Sequence, residues 1–229
     1  MAQKVNLGLC TSGSRLKVAV AAGGKVFQAQ KKIFNQEQAL FGLAGRELAR
    51  AGADLGSVDA VCAVRGPGRF TGIRISLTPA GALKAMAGAE VYTATLFEVL
   101  ALQAFEHKTF GRSGLRRIAV LLHAFKDEYF CQFFAAGKGL KLPKPEGGPV
   151  WLKAEELKKL LAAETGYYAI GDSEEDPAVY GLLPAGRPAA PKAVSKVVPG
   201  YIIKAALASK NKTLKPLYLK PAKYELENK

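Results

Sequence analysis

The stretch 64–77, VRGPGRFTGIRISL, concentrates the residues best suited to holding an anion. Gly66, Gly68 and Gly72 free the backbone to turn its N–H groups toward a ligand, and Arg65, Arg69 and Arg74 add positive charge. Thr71 stands where a helix can begin, and a helix N-terminus attracts phosphate. Spacing nevertheless excludes two familiar phosphate loops. Counted from Gly66, a Walker A loop requires glycine and then lysine where this chain has Thr71 and Gly72. A dinucleotide loop requires its third glycine three residues after the second, and Gly72 comes one residue late. Two uses stand level: an anion nest, or a tight strand-to-helix corner that needs permissive backbone.

Other chemical groups are few. His107 and His123 have neither of the spacings that pair histidines on a metal, and His123, inside an apolar run, reads as a hydrogen-bonded core residue. No GxSxG elbow is present. The acidic run DSEED, 172–176, reads as a helix cap with an acidic first turn rather than a magnesium cage. Cys10, Cys62 and Cys131 lie in apolar runs without CxxC spacing, which predicts three reduced, buried thiols and no metal site.

The formal net charge is +14, and residues 187–229 carry ten basic side chains against two acidic ones. Such a tail attracts RNA or an acidic protein face, and a tRNA contact through it is one expectation. Aromatic residues are sparse there, which argues against a stacking platform for single strands. No run reaches the about 18 apolar residues of a membrane span. The opening MAQKVNLGLC is too short in apolar residues for a signal segment, so the expected setting is the reducing cytoplasm, away from membranes.

The elements that must position the loop can be read from periodicity. KVNLGLC, LKVAVAA and KVFQAQKKI predict three strands separated by TSGSR and Gly23-Gly24. Asn35 and Gln38 suggest a capping box before a helix bearing Leu40, Leu43, Ala44 and Leu48, ending near Gly52. VDAVCAV, 58–64, predicts a strand buried on both faces. With Thr71 as its cap, a second helix follows on Ile73, Leu77, Ala80 and Leu83, kinked or restarted at Pro79. A short strand at 91–93 and a helix at 96–105 complete an α/β lobe with a mixed sheet. A second hairpin is expected at 117–125 and 128–136, then an exposed loop or edge over 137–149, a helix at 153–164 and the strand YYAIG. The final helix, 194–209, should break its first turn at Pro199-Gly200.

Residues 66–75, GPGRFTGIRI, resemble the GPGSFTGLRIG signature of the bacterial TsaB family, formerly YeaZ, whose members help form threonylcarbamoyladenosine on tRNA. LGLCTSGSRLKVAV is similar to that family's LAIDTS hairpin, NQEQALFGLAGRELARAG to its first helix, LLHAFKDEYFCQFF to its second hairpin, and LKPLYLKP to its closing PxYLRP. The resemblance implies an α/β, actin-like ATPase (RNase H-like) fold of two lobes, each with a mixed sheet and packed helices, around βββαβαβα cores. Residues 1–108 would form the lobe with the glycine loop and interface helices, 109–194 a smaller lobe, and 195–229 a terminal helix and basic tail docking back on the first.

The same resemblance implies a non-catalytic subunit that partners the catalytic TsaD-type subunit, is joined by the ATPase TsaE, and forms a homodimer when alone. Leu40, Phe41, Leu43, Ala44, Leu48, Ile73, Leu77 and Ala80 would supply the partner bundle, with Phe41 and Ala44 nearest the shared face. Arg65, Gly66, Gly68, Arg69, Thr71, Gly72 and Arg74 would form an anion or nucleotide loop, with ATP or ADP shared at the partner interface. Two departures oppose independent ATP hydrolysis: Cys10 and His123 stand where the family carries aspartates that would orient magnesium. A stand-alone nucleotide-dependent or glycoprotease-like hydrolase, and a basic tRNA-binding module, are the alternatives.

Overall fold

The computed structural model describes residues 4–137, 139–140 and 142–220. The chain divides into two units, Met1–Val99 with Val197–Leu217 and Leu100–Lys196 with Tyr218–Lys229. In chain order the first contains β1 (Val5–Cys10), β2 (Arg15–Ala22), β3 (Lys25–Lys32), α1 (Gln36–Arg50), β4 (Ala60–Val64), α2 (Phe70–Ala87) and β5 (Glu90–Ala94). Helix α3 (Leu96–Glu106) runs from the first unit into the second. The second adds α4 (Lys108–Ser113), β6 (Arg117–Phe125), β7 (Glu128–Ala135), β8 (Lys144–Lys153), α5 (Ala154–Ala163) and β9 (Tyr168–Gly171), and α6 (Pro199–Ser209) belongs again to the first.

Alternation of large and small residues builds the first unit. Leu7 and Leu9 of β1 lie opposite Val20 and Val18 of β2, while Gly8 between them lies opposite Ala19 and beside Cys62 of β4. Successive side chains point to opposite faces, so one face is large and the other small. The large face shares a core with Leu40, Ala44 and Leu48 of α1 and Ile73 and Leu77 of α2. The small face lets α6 come close: a Cβ on Gly8 would lie 2.8 Å from Ile203 Cγ1. The sheet order is β3-β2-β1-β4-β5, antiparallel over the first three strands and parallel from β1 to β5.

The second unit has the order β8-β7-β6-β9, with β9 parallel to β6 and the other pairs antiparallel. Leu157 and Leu161 of α5 pack there with Leu121, Tyr129, Cys131 and Tyr167. Both sheets are mixed, as expected. Among the described residues no helix is long and apolar enough to cross a membrane.

Several local expectations are corrected. Asn35 occupies the N-cap of α1, but its side chain makes no capping bond. Gln36, buried beside it, ties the helix to the β1–β2 turn instead, donating to Gly13 O at 2.9 Å. Thr71 is not a cap: α2 begins at Phe70 with Arg69 in the N-cap position. The helix runs unbroken through Pro79, which is buried. Of the segment expected as an exposed loop or edge, the part from Lys144 on is the edge strand β8, which continues to Lys153; Pro199 does not break a helix but starts α6, where a missing N–H costs nothing. The short helix α4 was not expected.

A capping box does open α3. Thr95 Oγ1 accepts from Glu98 N at 3.1 Å, and Glu98 Oε2 accepts from Thr95 N at 2.7 Å. Replacing Thr95 with alanine should therefore cost about 1 kcal/mol. Chemical denaturation of the two proteins measures this directly.

Candidate functional site

The corner after β4 is shaped by the turn between β1 and β2. Gly68 sits at φ +153°, and a Cβ there would lie 2.5 Å from Ser12 O. Arg69 N–H donates to that same carbonyl at 2.8 Å. At Gly72 a Cβ would overlap Thr11 O, and Thr11 Oγ1 donates to Gly72 O at 2.6 Å. The other side is backed by the segment after α6, where Leu217 N–H donates to Arg65 O at 2.7 Å. That segment also closes the β5 edge: Thr93 N–H donates to Asn211 O at 2.7 Å and Thr93 Oγ1 to Thr213 O at 3.0 Å.

The glycines thus serve close approach of the chain to itself. Backbone from residues 11–12 packs directly on Gly68 and Gly72, and the Arg69 N–H is committed to Ser12 O. Cys10 supplies no carboxylate beside the corner, and the described residues contain no group of three His, Cys, Asp or Glu side chains able to hold a metal. Of the corner's arginines, Arg65 is half-buried, whereas Arg69 and Arg74 are exposed, with Arg74 stacked 4.1 Å above the Phe70 ring.

The expected partner residues separate sharply. Leu40, Leu43, Ala44, Leu48, Ile73, Leu77 and Ala80 are buried in the unit's own core, while Phe41 is 53% exposed. Ala44, expected near a shared face, is fully buried. Sequence reading missed Phe70, 54% exposed at the start of α2, and Phe34, 86% exposed just before α1. Between the two helices lies an open groove of about 290 Å³, lined by Glu37, Phe41, Thr71, Arg74, Ile75 and Pro79. Its floor is apolar and its rim carries one acid and one base.

The remaining chemical groups do structural work. His107 caps α4, its ring accepting from Thr109 N. His123 is only half-buried at the end of β6, with Nε2 2.9 Å from Lys126 O and its ring edge-on to Tyr129. It is thus a strand-end residue and not a core one. In the acidic run, Asp172 Oδ1 accepts from Glu174 N at 3.2 Å, and Asp176 accepts from Tyr129 OH and Ala178 N at 2.9 Å. These bonds shape turns before a 3-10 segment at Val179–Leu182, so the run caps no α-helix. Burial, reinforced by the Asp176 carboxylate, pushes the Tyr129 hydroxyl up to about 12.

Burial also pushes the Cys62 and Cys131 thiols up to about 12, far from nucleophilic use at neutral pH. All three cysteines are buried thiols outside any disulfide. The folded protein should show no fast-reacting thiol toward an aromatic disulfide reagent at pH 8, and three after denaturation in guanidinium.

Two units with mixed sheets, the first built βββαβαβα, define the α/β architecture of the actin-like ATPase fold. Within it, the chain is similar to YeaZ from Pseudomonas aeruginosa at a TM-score of 0.74 and 21% identity, covering 94% of this chain and all of that one. A second Pseudomonas aeruginosa structure, of an uncharacterized protein with similarity to the peptidase YeaZ, gives a TM-score of 0.73 at 22% identity, covering 95% of this chain and all of that one. No protein-family model matches the sequence, and no curated protein matches it.

Proposed function

We propose that the chain is a divergent, TsaB-like partner subunit that supports a TsaD-type enzyme in threonylcarbamoyl modification of tRNA adenosine. The observation that carries this reading is where the first unit leaves its large apolar side chains exposed. Among its described residues these are Val26, Phe34, Phe41, Phe70 and Met86, and all but Val26 lie on or beside α1 and α2. Apolar exposure gathered on one pair of helices marks a protein-binding surface rather than a catalytic cleft. The whole-length likeness to YeaZ and the GPGRFTGIRI signature favour a partner of the TsaD type.

In this role the glycine corner is a support. It locks the start of α2 to the β1–β2 turn, which fixes Phe70 at the head of that helix and Arg74 across the groove from Phe41. A pair of apolar helices from the partner, or from a second copy when the protein is alone, completes the bundle through Phe41 and Phe70, with Glu37 and Arg74 setting register at the rim. Catalysis rests with the partner, and a TsaE-type ATPase joins the pair. The basic C-terminal segment contributes long-range attraction for tRNA. A strain lacking the gene should lose threonylcarbamoyladenosine from its tRNA, measured by nucleoside analysis, and recover it with the intact gene. Undiminished modification in the deletion strain would overturn the reading.

A further inference from the structure

Near the end of the closing LKPLYLKP motif, Lys220 occupies a defined place in the second unit. We propose that Phe125, Glu128 and Trp151 form an alkylammonium-binding box whose resident ligand is the side chain of Lys220. Lys220 Nζ lies 2.6 Å from Glu128 Oε2, 5.4 Å from the centre of the Phe125 ring and 5.3 Å from that of Trp151. Two π faces and one carboxylate around a single ammonium form the chemical arrangement that recognises lysine and its methylated forms.

Strand pairing builds the box, with a register shift between His123 and Phe125 just before it. Phe125 ends β6 and pairs in register with Glu128 at the start of β7, across the tight turn at Lys126, whose φ is +52°. Trp151 lies on β8 opposite Phe130 of β7, so the three walls come from adjacent strands of one sheet. The Glu128 side chain is 19% exposed and that of Lys220 35%, which strengthens their attraction above that of a fully solvated pair. Lys126 Nζ also stands 5.4 Å from the Phe125 ring, but the carboxylate ion pair belongs to Lys220. The walls belong to the sheet while the ligand comes from the terminal segment, so another alkylammonium can displace it.

Trp151 is the chain's one tryptophan, and its fluorescence reads the box without a label. The probe is tetramethylammonium chloride, with sodium chloride at equal ionic strength as the control. Lys220→Met should change Trp151 emission and make it respond to tetramethylammonium at about tenfold lower concentration than the intact protein, as loss of the internal competitor requires. Lys220→Arg, which keeps the charge and stacks on aromatic rings, should behave as the intact protein does. Adding Phe125→Leu to Lys220→Met should abolish the response while far-UV circular dichroism stays unchanged. Identical emission and titrations for the intact protein and Lys220→Met would overturn the proposal, as would a response that survives loss of the Phe125 ring. The intact protein gives an independent check: equal effects of tetramethylammonium and sodium on its emission also count against the box.

Discussion

Replacing Gly72 with alanine is expected to destabilise the first unit by about 3 kcal/mol or more, with a fall in melting temperature of about 10 °C. The added methyl would overlap the Thr11 carbonyl, which belongs to backbone and cannot swing aside as a long side chain would. Relief requires α2 to lift from the β1–β2 turn, breaking the 2.6 Å bond from Thr11 Oγ1 to Gly72 O and loosening the corner around Arg69. A loss of this size is a large share of the about 5–15 kcal/mol that holds a domain folded. Gly81→Ala in the same helix is the contrast. Its new methyl would lie 3.5 Å from Leu214 Cδ1, an ordinary contact, so alanine's helix propensity should leave stability unchanged or raise it by up to about 1 kcal/mol. Equal effects of the two substitutions in thermal unfolding would contradict the packing role of the corner.

Replacing Phe41 with aspartate should have the opposite profile. Half of the ring is exposed, so the melting temperature should move little, as is usual for surface positions. Association should weaken at least about 30-fold, because an apolar anchor at the centre of an interface contributes about 2 kcal/mol or more, and the new charge would be desolvated on binding beside the like charge of Glu37. Phe41→Ala separates the two causes, since it removes the ring without adding a charge and should weaken association less. Size-exclusion chromatography with light scattering follows the self-association, and calorimetry follows binding to the partner.

Much of this architecture was legible in the chain itself. The period of two in LGL and VAV and the wider period in Leu40, Ala44 and Leu48 specify strands and a helix, and the turn residues between them separate the elements. The corner's position was equally plain, because a strand, a glycine-rich turn and a helical stripe follow one another within residues 58–83. What fills the corner was not legible. Thr11, Ser12 and Leu217 meet it across long stretches of sequence, and a glycine required by close approach looks the same as one required by a bound phosphate. Periodicity also could not divide the stripe of α1 between core and partner. Phe41 lies one residue off the line through Leu40, Ala44 and Leu48, about 100° around the helix, and that displacement is the signal that it faces outward. Sequence reading passed over the Thr95–Glu98 capping box although its spacing is local, whereas the Lys220 box depends on pairing of β6, β7 and β8 that no local pattern displays.

Binding of a TsaD-type subunit to the α1–α2 surface, as proposed, is open to titration calorimetry of the purified chain with that protein from the same organism. A one-to-one complex is expected, with a dissociation constant of about 1 μM or tighter, weakened at least about 30-fold by Phe41→Asp at unchanged melting temperature. No heat of binding, or binding that Phe41→Asp leaves intact, would contradict it.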